Sequence, residues 1–377
     1  MKKYLVILCI ALVSCVSASA SVVDNAPELV DGNIQTFYAG VKGVNQIVIN
    51  SPSEAPILSY KVYSSGELPI YDPFEWKLKG SNDGKTWTVV DTRTDQVFCS
   101  RFQEILCVSQ NPASYKQYML ETSTASKDTV KIAEIMLFDK NLLQGWENFK
   151  YPKVNFTIRD TAVDGSKIYQ QLVQNPDEYV KYHTQKVAEI LYYSDSDPMV
   201  DVQTINYSLT NSRGVSSKSG NSPHISIVYS TRHIENSAKK SLDTLDFETR
   251  GVLYHELVHG YQYEPKGCGD YGSSDKVFWA NIEGIADAVR AEAGLFDWST
   301  RKPGGTWMDG YRTTGFFIQW LTTKDPNAIR KFHATGRDLE VWSFDAAIKA
   351  VFGTESSIEG VWEEYQTFLN SQSNLTE

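Results

Sequence analysis

Two histidines four positions apart, His255 and His259, constrain this chain more than any other feature of its sequence. The run around them, residues 245–261, contains no proline. Its apolar residues recur at the i, i+3, i+4, i+7 spacing of one helix face, formed by Tyr254, Leu257, Val258 and Tyr261. Residues four apart share a helix face, so both imidazoles can point at one metal ion, with Glu256 beside them.

The segment from His255 to His259 matches the zinc-protease signature. In that signature two neutral imidazoles bind the ion, and the carboxylate between them, here Glu256, acts as general base on water. A surface helix with two solvated histidines is the alternative. The chain has six histidines in all, and two of them lie here, which favours a zinc site.

A catalytic zinc ion needs a third protein ligand and an open coordination position. The metzincin arrangement is excluded because Gln262 and Pro265 stand where it requires glycine and histidine. Glu283 offers the ligand instead, in a segment with separate polar and apolar helical stripes. An exposed helix face carrying carboxylates is the alternative explanation of that segment. Weaker ligand candidates lie in the glycine-rich connecting loop: Glu264, Cys268, Asp270 and Asp275.

The spacing of Glu283 and Asp287 resembles the Glu-x-x-x-Asp motif of thermolysin. This resemblance implies that Glu283 binds zinc. It also implies that Asp287 accepts a hydrogen bond from the N–H of a ligand histidine.

A wider set of motifs resembles the basic secretory protein family, whose members are proposed zinc peptidases of plants, bacteria and fungi. The resemblance spans roughly residues 154–369 and is strongest at 251–256, Gln262, 283–287 and 310–311. The chain departs from the family in two ways: Tyr261 stands where plant members have tryptophan, and the net charge is −10 rather than basic. The resemblance implies an α+β zincin-like metallopeptidase domain, mostly helical in its C-terminal half.

The same resemblance implies roles for further residues. Tyr311 matches a family position and is expected to donate a hydrogen bond to the oxyanion, with core packing as the competing explanation. In zincins, the edge strand above the active-site helix pairs with extended substrate. A strand is predicted at residues 224–229, so Ile225, Ser226 and Ile227 are expected to bind substrate.

Residues 21–140 show short alternating runs separated by turn signals such as 31–33 and 82–84. This pattern is typical of an antiparallel β-sandwich. The segment resembles a discoidin or coagulation-factor type C module. Such modules commonly bind sugars or cell surfaces, which implies a glycan or cell-surface ligand. A spacer between the peptidase and its anchor is the alternative role.

The chain is therefore expected to contain two domains, with a linker at 141–153 and the peptidase domain at 154–377. Helices are predicted at 166–174, 177–193, 310–322, 327–335, 343–352 and 358–370. Cys99 and Cys107 bracket a short segment of the first domain. In an exported protein they are expected to form a disulfide.

Residues 1–20 are predicted to be an export signal. Lys2 and Lys3 precede an apolar run at 4–13 that is too short to span a membrane. Residues 18–20 fit cleavage by signal peptidase and soluble secretion. Residues 12–15 instead resemble a bacterial lipobox, which would leave Cys15 lipidated as the only membrane anchor. The lipobox is favoured because Cys15 follows the apolar run directly, so we expect a surface or periplasmic lipoprotein, or a secreted protein.

Together these features predict an exported zinc metallopeptidase that hydrolyses proteins or glycoproteins through zinc-activated water, with Glu256 as general base. The alternative is an inactive peptidase-like scaffold fused to a carbohydrate- or surface-binding module. Against it, His255, Glu256, His259 and Glu283 are all intact. A net charge of −10 without a Lys/Arg cluster argues against nucleic acid as a partner.

Overall fold

The structure of the protein is a computed structural model that describes residues 26–373. The predicted export signal, with Cys15, lies outside the described residues. Within residues 26–373, no helix combines the length and the apolar composition needed to cross a lipid bilayer.

The first domain is an antiparallel β-sandwich. Its strands are β1 (Tyr38–Lys42), β2 (Asn45–Asn50), β3 (Ser59–Ser64), β4 (Glu75–Ser81), β5 (Thr88–Arg93), β6 (Glu104–Val108), β7 (Gln117–Ser123) and β8 (Thr129–Phe138). They form two sheets with the orders β1-β8-β3-β6 and β2-β7-β4-β5. The predicted all-β sandwich is therefore confirmed.

The core of the sandwich lies between the two sheets, because each strand buries alternate side chains. In β2, Ile47 and Ile49 are buried on the inner face. Trp76 of β4 donates a hydrogen bond to the hydroxyl of Tyr60 on β3 at 2.8 Å. Tyr60 in turn donates to Asp91 of β5 at 2.5 Å. These hydrogen bonds tie one sheet to the other across an otherwise apolar core.

The second domain combines one mixed sheet with a layer of helices. Its strands are β9 (Lys153–Ile158), β10 (Thr204–Thr210), β11 (Ser216–Asn221) and β12 (His224–Ser230), in the order β11-β12-β10-β9. Strands β9, β10 and β12 are parallel, whereas β11 is antiparallel to β12. The helices are α1 (Asp164–Leu172), α2 (Pro176–Leu191), α3 (Thr231–Ala238), α4 (Leu242–Tyr261), α5 (Val277–Glu292), α6 (Tyr311–Trp320), α7 (Ala328–Asp338), α8 (Phe344–Phe352) and α9 (Ile358–Ser373). The predicted α+β class, mostly helical in its C-terminal half, is confirmed.

Capping residues explain where several predicted helices begin and end. The Asn175 side chain accepts a hydrogen bond from the amide of Glu178 and starts α2. Ser343 caps α8 in the same way, and Gly353, with φ of +102°, ends it. The predicted helices are present with ends that differ by a few residues from the expected ones.

Close approach of α4, α5 and α6 sets the relative positions of the residues they carry. A Cβ added to Gly251 of α4 would lie 2.4 Å from Nε of Arg290 on α5. A Cβ added to Gly315 of α6 would lie 2.7 Å from Cβ of Asp287 and 3.0 Å from the backbone nitrogen of Ala288. A side chain at Gly315 would push α5 and α6 apart, because it would meet backbone atoms of α5, whereas one at Gly251 would displace the guanidinium of Arg290. Glycine therefore lets α6 lie close to α5 at Gly315 and leaves room for the Arg290 side chain beside Gly251.

The two domains contact each other through the segment between β5 and β6. The amide of Arg101 donates to the carbonyl of Leu172 at 2.8 Å. The carbonyl of Cys99 accepts a hydrogen bond from the amide of Gln174 at 2.8 Å. Backbone hydrogen bonds therefore connect the sandwich to the end of α1 in the second domain.

The predicted disulfide between Cys99 and Cys107 is wrong, since both residues are free thiols in the described part of the chain. Cys107 belongs to the core of the sandwich. Cys99 instead packs in the core of the second domain, together with Trp146 and Phe149 from the predicted linker. Strand β6 thus carries Cys107 into a different hydrophobic core. Burial raises the pKa of Cys107 to about 11 and that of Cys99 to about 12, which keeps both protonated and unreactive.

Candidate metal centre

Helix α4 carries the three residues of the predicted signature. It begins after Ser241, whose side chain accepts a hydrogen bond from the amide of Thr244. The predicted apolar stripe is buried, and Leu257 and Val258 are fully so. The side chains of His255 and His259 keep 14 % and 12 % of their surface exposed. The metal-binding face of the helix is therefore accessible from solvent.

Three ligand atoms converge in front of this helix face. Nε2 of His255 lies 3.1 Å from Nε2 of His259. Oε2 of Glu283, on α5, lies 3.2 Å from the first nitrogen and 3.6 Å from the second. These residues form a group able to hold a metal ion. The meeting of α4 and α5 expected from the sequence is therefore present.

The second polar atom of each ligand side chain, which faces away from the centre, contacts another residue. Nδ1 of His255 donates to Oδ1 of Asp287 at 2.7 Å, as the resemblance to thermolysin implied. Nε2 of the Gln262 side-chain amide lies 2.8 Å from Nδ1 of His259, within hydrogen-bond distance. The hydroxyl of Tyr271 donates to Oε1 of Glu283. Nε2 of both histidines and Oε2 of Glu283 face the centre, where they could bind a metal ion.

The charges around the centre favour a cation. Burial raises the pKa of Glu283, but the facing imidazoles outweigh burial and hold this pKa well below its usual range. Burial lowers the pKa of His255, but the hydrogen bond to Asp287 and the ionic interaction with Glu283 outweigh burial and raise this pKa to about 10. Without a metal ion, the positive charge of protonated His255 offsets the negative charges of the Glu283 and Asp287 carboxylates. Metal binding must therefore displace that proton.

The donors fit a tetrahedral zinc ion. Ligand atoms placed 2.0–2.1 Å from zinc lie about 3.3 Å apart, close to the three separations of 3.1, 3.2 and 3.6 Å. Oε2 of Glu283 is buried without a hydrogen-bond partner among the described residues. A bound cation would satisfy this atom, which is otherwise costly to bury. Three protein ligands also leave a fourth position for water, as catalytic zinc requires.

Glu256 lies beside the three ligands but is held by a different partner. The hydroxyl of Ser216, on β11, donates to Oε1 of Glu256 at 2.6 Å. The carboxylate is buried. Strand β11 therefore crosses in front of α4 and orients the predicted general base.

The prediction that Ile225, Ser226 and Ile227 pair with substrate is wrong. Their strand, β12, is hydrogen-bonded to β10 on one side and to β11 on the other, so it has no free edge. Ile225 and Ile227 are buried in the domain core, and a Cβ added to Gly260 of α4 would lie 2.6 Å from Cδ1 of Ile225. Within the described residues, β11 is the edge strand nearest to α4.

Tyr311, the first residue of α6, lies over the centre. Its ring stacks on that of His255, with centroids 6.0 Å apart and planes inclined by 17°. Its φ is +39°, a region that residues other than glycine seldom adopt. Such strain is concentrated at functional sites. Tyr311 is 47 % exposed, so core packing does not explain its position, although Phe316 and Phe317 in the same helix are buried.

Ser216 and Tyr271 hydrogen-bond the carboxylates of the centre, and neither residue is predicted from the sequence. Ser216 lies in a polar segment without the apolar alternation that marks a strand, and Tyr271 lies in a loop without periodicity. A hydroxyl partner for a carboxylate leaves no local signal, because it is chosen by the tertiary fold. Among residues 26–373, none of the weaker ligand candidates belongs to the group that could hold a metal ion. These candidates are Glu264, Cys268, Asp270 and Asp275.

Comparison with known proteins identifies the second domain. A family model described as a peptidase of plants and bacteria matches residues 151–365, more than half of the chain. A shorter match, 48 % identical over 48 residues, is to a peptide-N(4)-(N-acetyl-beta-glucosaminyl)asparagine amidase of Arabidopsis thaliana. It covers 12 % of this chain and 7 % of the plant protein, so the chain spans less than a tenth of that relative.

The sandwich resembles solved carbohydrate-binding and coagulation-factor type C domains. A family 32 carbohydrate-binding module from Clostridium perfringens, in complex with GalNAc-beta-1,3-galactose, is 12 % identical with a TM-score of 0.27, covering 30 % of this chain and 81 % of that one. The family 32 module of C. perfringens NanJ, in complex with galactose, is 14 % identical with a TM-score of 0.26, covering 29 % and 82 %. An F5/8 type C domain from Bacteroides fragilis is 16 % identical with a TM-score of 0.27, covering 30 % and 80 %.

Proposed function

The chain belongs to the family described as a peptidase of plants and bacteria, and on this premise we propose that it is an exported zinc-dependent endopeptidase acting on proteins or glycoproteins. The observation that carries the proposal is the convergence of two imidazole nitrogens and one carboxylate oxygen beside Glu256. Two histidines and a glutamate are a ligand set that catalytic zinc uses.

Hydrogen bonds with Asp287 and Tyr271 orient two of the ligands, His255 and Glu283, for zinc binding. His255, His259 and Glu283 would hold a zinc ion, which when bound would lower the pKa of a coordinated water to about 7 and polarise a substrate carbonyl. Asp287 keeps the proton of His255 on Nδ1, so that Nε2 can bind the ion. Tyr271 holds Oε1 of Glu283 and leaves Oε2 as the single oxygen directed at the centre.

Glu256 acts as the general base and then as the general acid. Its carboxylate takes a proton from the attacking water and later gives that proton to the leaving amine. The hydroxyl of Ser216 holds Oε1, so Oε2 is the oxygen available for proton transfer.

Tyr311 supplies a hydrogen-bond donor for the transition state. Its half-exposed ring lies against His255, so its phenol can reach a carbonyl bound at the centre. The oxyanion that forms when water attacks needs a donor in addition to the ion. The phenol hydrogen of Tyr311 meets that need.

Strand β11 binds the substrate backbone. One edge of β11 pairs with β12, and the other has no strand partner among the described residues. An extended peptide can add to that edge by main-chain hydrogen bonds. Because Ser216 of this strand contacts Glu256, a peptide on this edge passes close to the general base.

Digestion of casein and of a mucin-type glycoprotein tests the proposal. Zinc-loaded wild type should cleave both, with products identified by mass spectrometry. Glu256→Gln should keep its zinc but lose at least about 100-fold of the activity. The matched control is Glu359→Gln, which changes an exposed carboxylate on α9 and should leave activity unchanged.

Metal analysis tests the ligands separately. His259→Ala should lose bound zinc, and zinc retained at full stoichiometry in this variant would contradict the ligand assignment. If zinc-loaded wild type cleaves nothing across a broad peptide library, the endopeptidase proposal fails. The alternative of an inactive scaffold then takes its place.

For the remaining parts of the chain we propose functions that follow from the sequence. The sandwich binds a glycan or cell-surface ligand, which binding to a glycan array by the full chain tests. Residues 1–20 direct export, and lipid attachment at Cys15 anchors the protein. Metabolic labelling with a fatty-acid analogue tests the anchor, and an unlabelled Cys15→Ala variant is the control.

A further inference from the structure

Lys218 lies on the same face of β11 as Ser216. The register pairs Ser216 with Tyr229 and Lys218 with Ile227, and residues two apart on a strand share a face. That face looks onto α4, because the hydroxyl of Ser216 bonds to Glu256 there. Lys218 therefore stands about 7 Å along the strand from the contact with the general base.

Lys218 brings a half-buried cationic side chain to this face of β11. It makes no salt bridge or side-chain hydrogen bond with any residue in the described part of the chain, although its side chain is half-buried. Burial lowers its pKa, while the charges of Glu264 and Glu256 act in the opposite direction. A partly desolvated cation without a hydrogen-bonded anion is unfavourable, so a ligand that supplies an anion would be stabilised there.

We propose that Lys218 binds a carboxylate of the substrate and so selects peptides with an acidic group about two residues from the scissile bond. This inference rests on the proposed use of β11 as the substrate-binding edge. A peptide residue directly opposite Lys218 on that edge projects its side chain to the same face, with Cβ atoms about 5 Å apart. An aspartate or glutamate at that position can reach the ammonium group, whereas lysine or arginine there is repelled.

The carboxylate has two sources, an acidic side chain or the C-terminus of the peptide. The first makes the enzyme an endopeptidase with an acidic preference. The second restricts cleavage to a site near the chain end. Either carboxylate would pair with Lys218. Comparison of peptides with a free and with an amidated C-terminus therefore distinguishes the two sources.

The test uses internally quenched peptides with glutamate, glutamine or lysine two or three residues from the cleavage site. Each peptide is made with a free and with an amidated C-terminus. They are cleaved by zinc-loaded full-length wild type, Lys218→Met and Lys218→Glu. The control is Lys153→Met, an exposed lysine on β9 at the opposite edge of the same sheet. Peptide dissociation constants are measured in parallel in the Glu256→Gln background, where no cleavage interferes.

Wild type and Lys153→Met should prefer the carboxylate-bearing peptide about tenfold over its neutral analogue, in kcat/KM and in affinity. Lys218→Met should lose this ratio, and Lys218→Glu should reverse it in favour of lysine. A ratio unchanged in Lys218→Met, or no preference in wild type, overturns the inference. Carboxylate-dependent binding without cleavage would refute the proposed peptidase activity but leave the role of Lys218 standing.

Discussion

Replacement of Glu104 by glutamine tests how the sandwich is held on the peptidase domain. Glu104 begins β6, and its Oε2 accepts hydrogen bonds from Nζ of Lys61 at 2.8 Å and from the hydroxyl of Tyr63. Its Oε1 accepts from the hydroxyl of Tyr182, on α2 of the other domain, at 2.6 Å. One carboxylate, of which only 13 % of the side chain is exposed, thus joins the two domains.

The pKa of Glu104 gives the magnitude of this effect. Burial raises the pKa, but the charges of Lys61 and Lys186 outweigh it and lower the pKa from 4.5 to about 2. At about 1.4 kcal/mol per pKa unit, this corresponds to about 3 kcal/mol of stability. Because the folded-state pKa is depressed, that stability is fully present above pH 4.5. It is lost as the pH falls from 4.5 towards 2.

Urea unfolding of the full chain at pH 7 and pH 3 measures this contribution. Glu104→Gln should be less stable than wild type by about 3 kcal/mol at pH 7, and the difference should shrink by about half at pH 3. Glu54→Gln, an exposed residue of the sandwich, is the matched control and should unfold like wild type. Equal unfolding of wild type and Glu104→Gln at pH 7, or a difference independent of pH, would refute the reasoning.

Three further predictions concern the centre and its support. Asp287→Asn should weaken zinc binding about 10- to 100-fold, measured by competition with a chelator, because His255 loses the acceptor that orients it; unchanged affinity would contradict the role of Asp287. Tyr311→Phe should lower kcat about 100-fold with little change in KM or in unfolding temperature, and an unchanged kcat would remove Tyr311 from the mechanism. Gly315→Ala should cost about 1–3 kcal/mol in thermal unfolding, because its Cβ would meet Asp287 and the backbone of Ala288; wild-type stability would mean that α6 can move away freely.

Much of the fold was predictable because its signals are local. The apolar stripe of α4 follows helical spacing, and Leu257 and Val258 are fully buried as expected. Short segments around Asn175 and Ser343 specify where α2 and α8 begin, because the side chains of these residues cap the helices. The turn-separated strands of the sandwich follow from an equally local alternation of side chains.

The errors came from features that depend on distant pairing. The residues of a strand do not specify how many strands pair with it, so the sequence predicts an edge strand at β12, although β11 and β10 flank it. The short separation of Cys99 and Cys107 suggested a disulfide, but the chain crosses between two hydrophobic cores within that interval. A short separation in sequence therefore does not predict contact between two residues when they belong to different hydrophobic cores.

The sequence by itself determined which side chains of α4 share a face, because a helix is built from hydrogen bonds between residues four apart. His255, Glu256 and His259 were therefore assigned without knowledge of the rest of the molecule. Only the tertiary structure decided that Glu283 meets them, that Tyr271 and Ser216 hold the two carboxylates, and that β11 is the edge strand among the described residues. These contacts join segments whose approach is set by the packing of whole helices and strands, which no short stretch of the chain specifies.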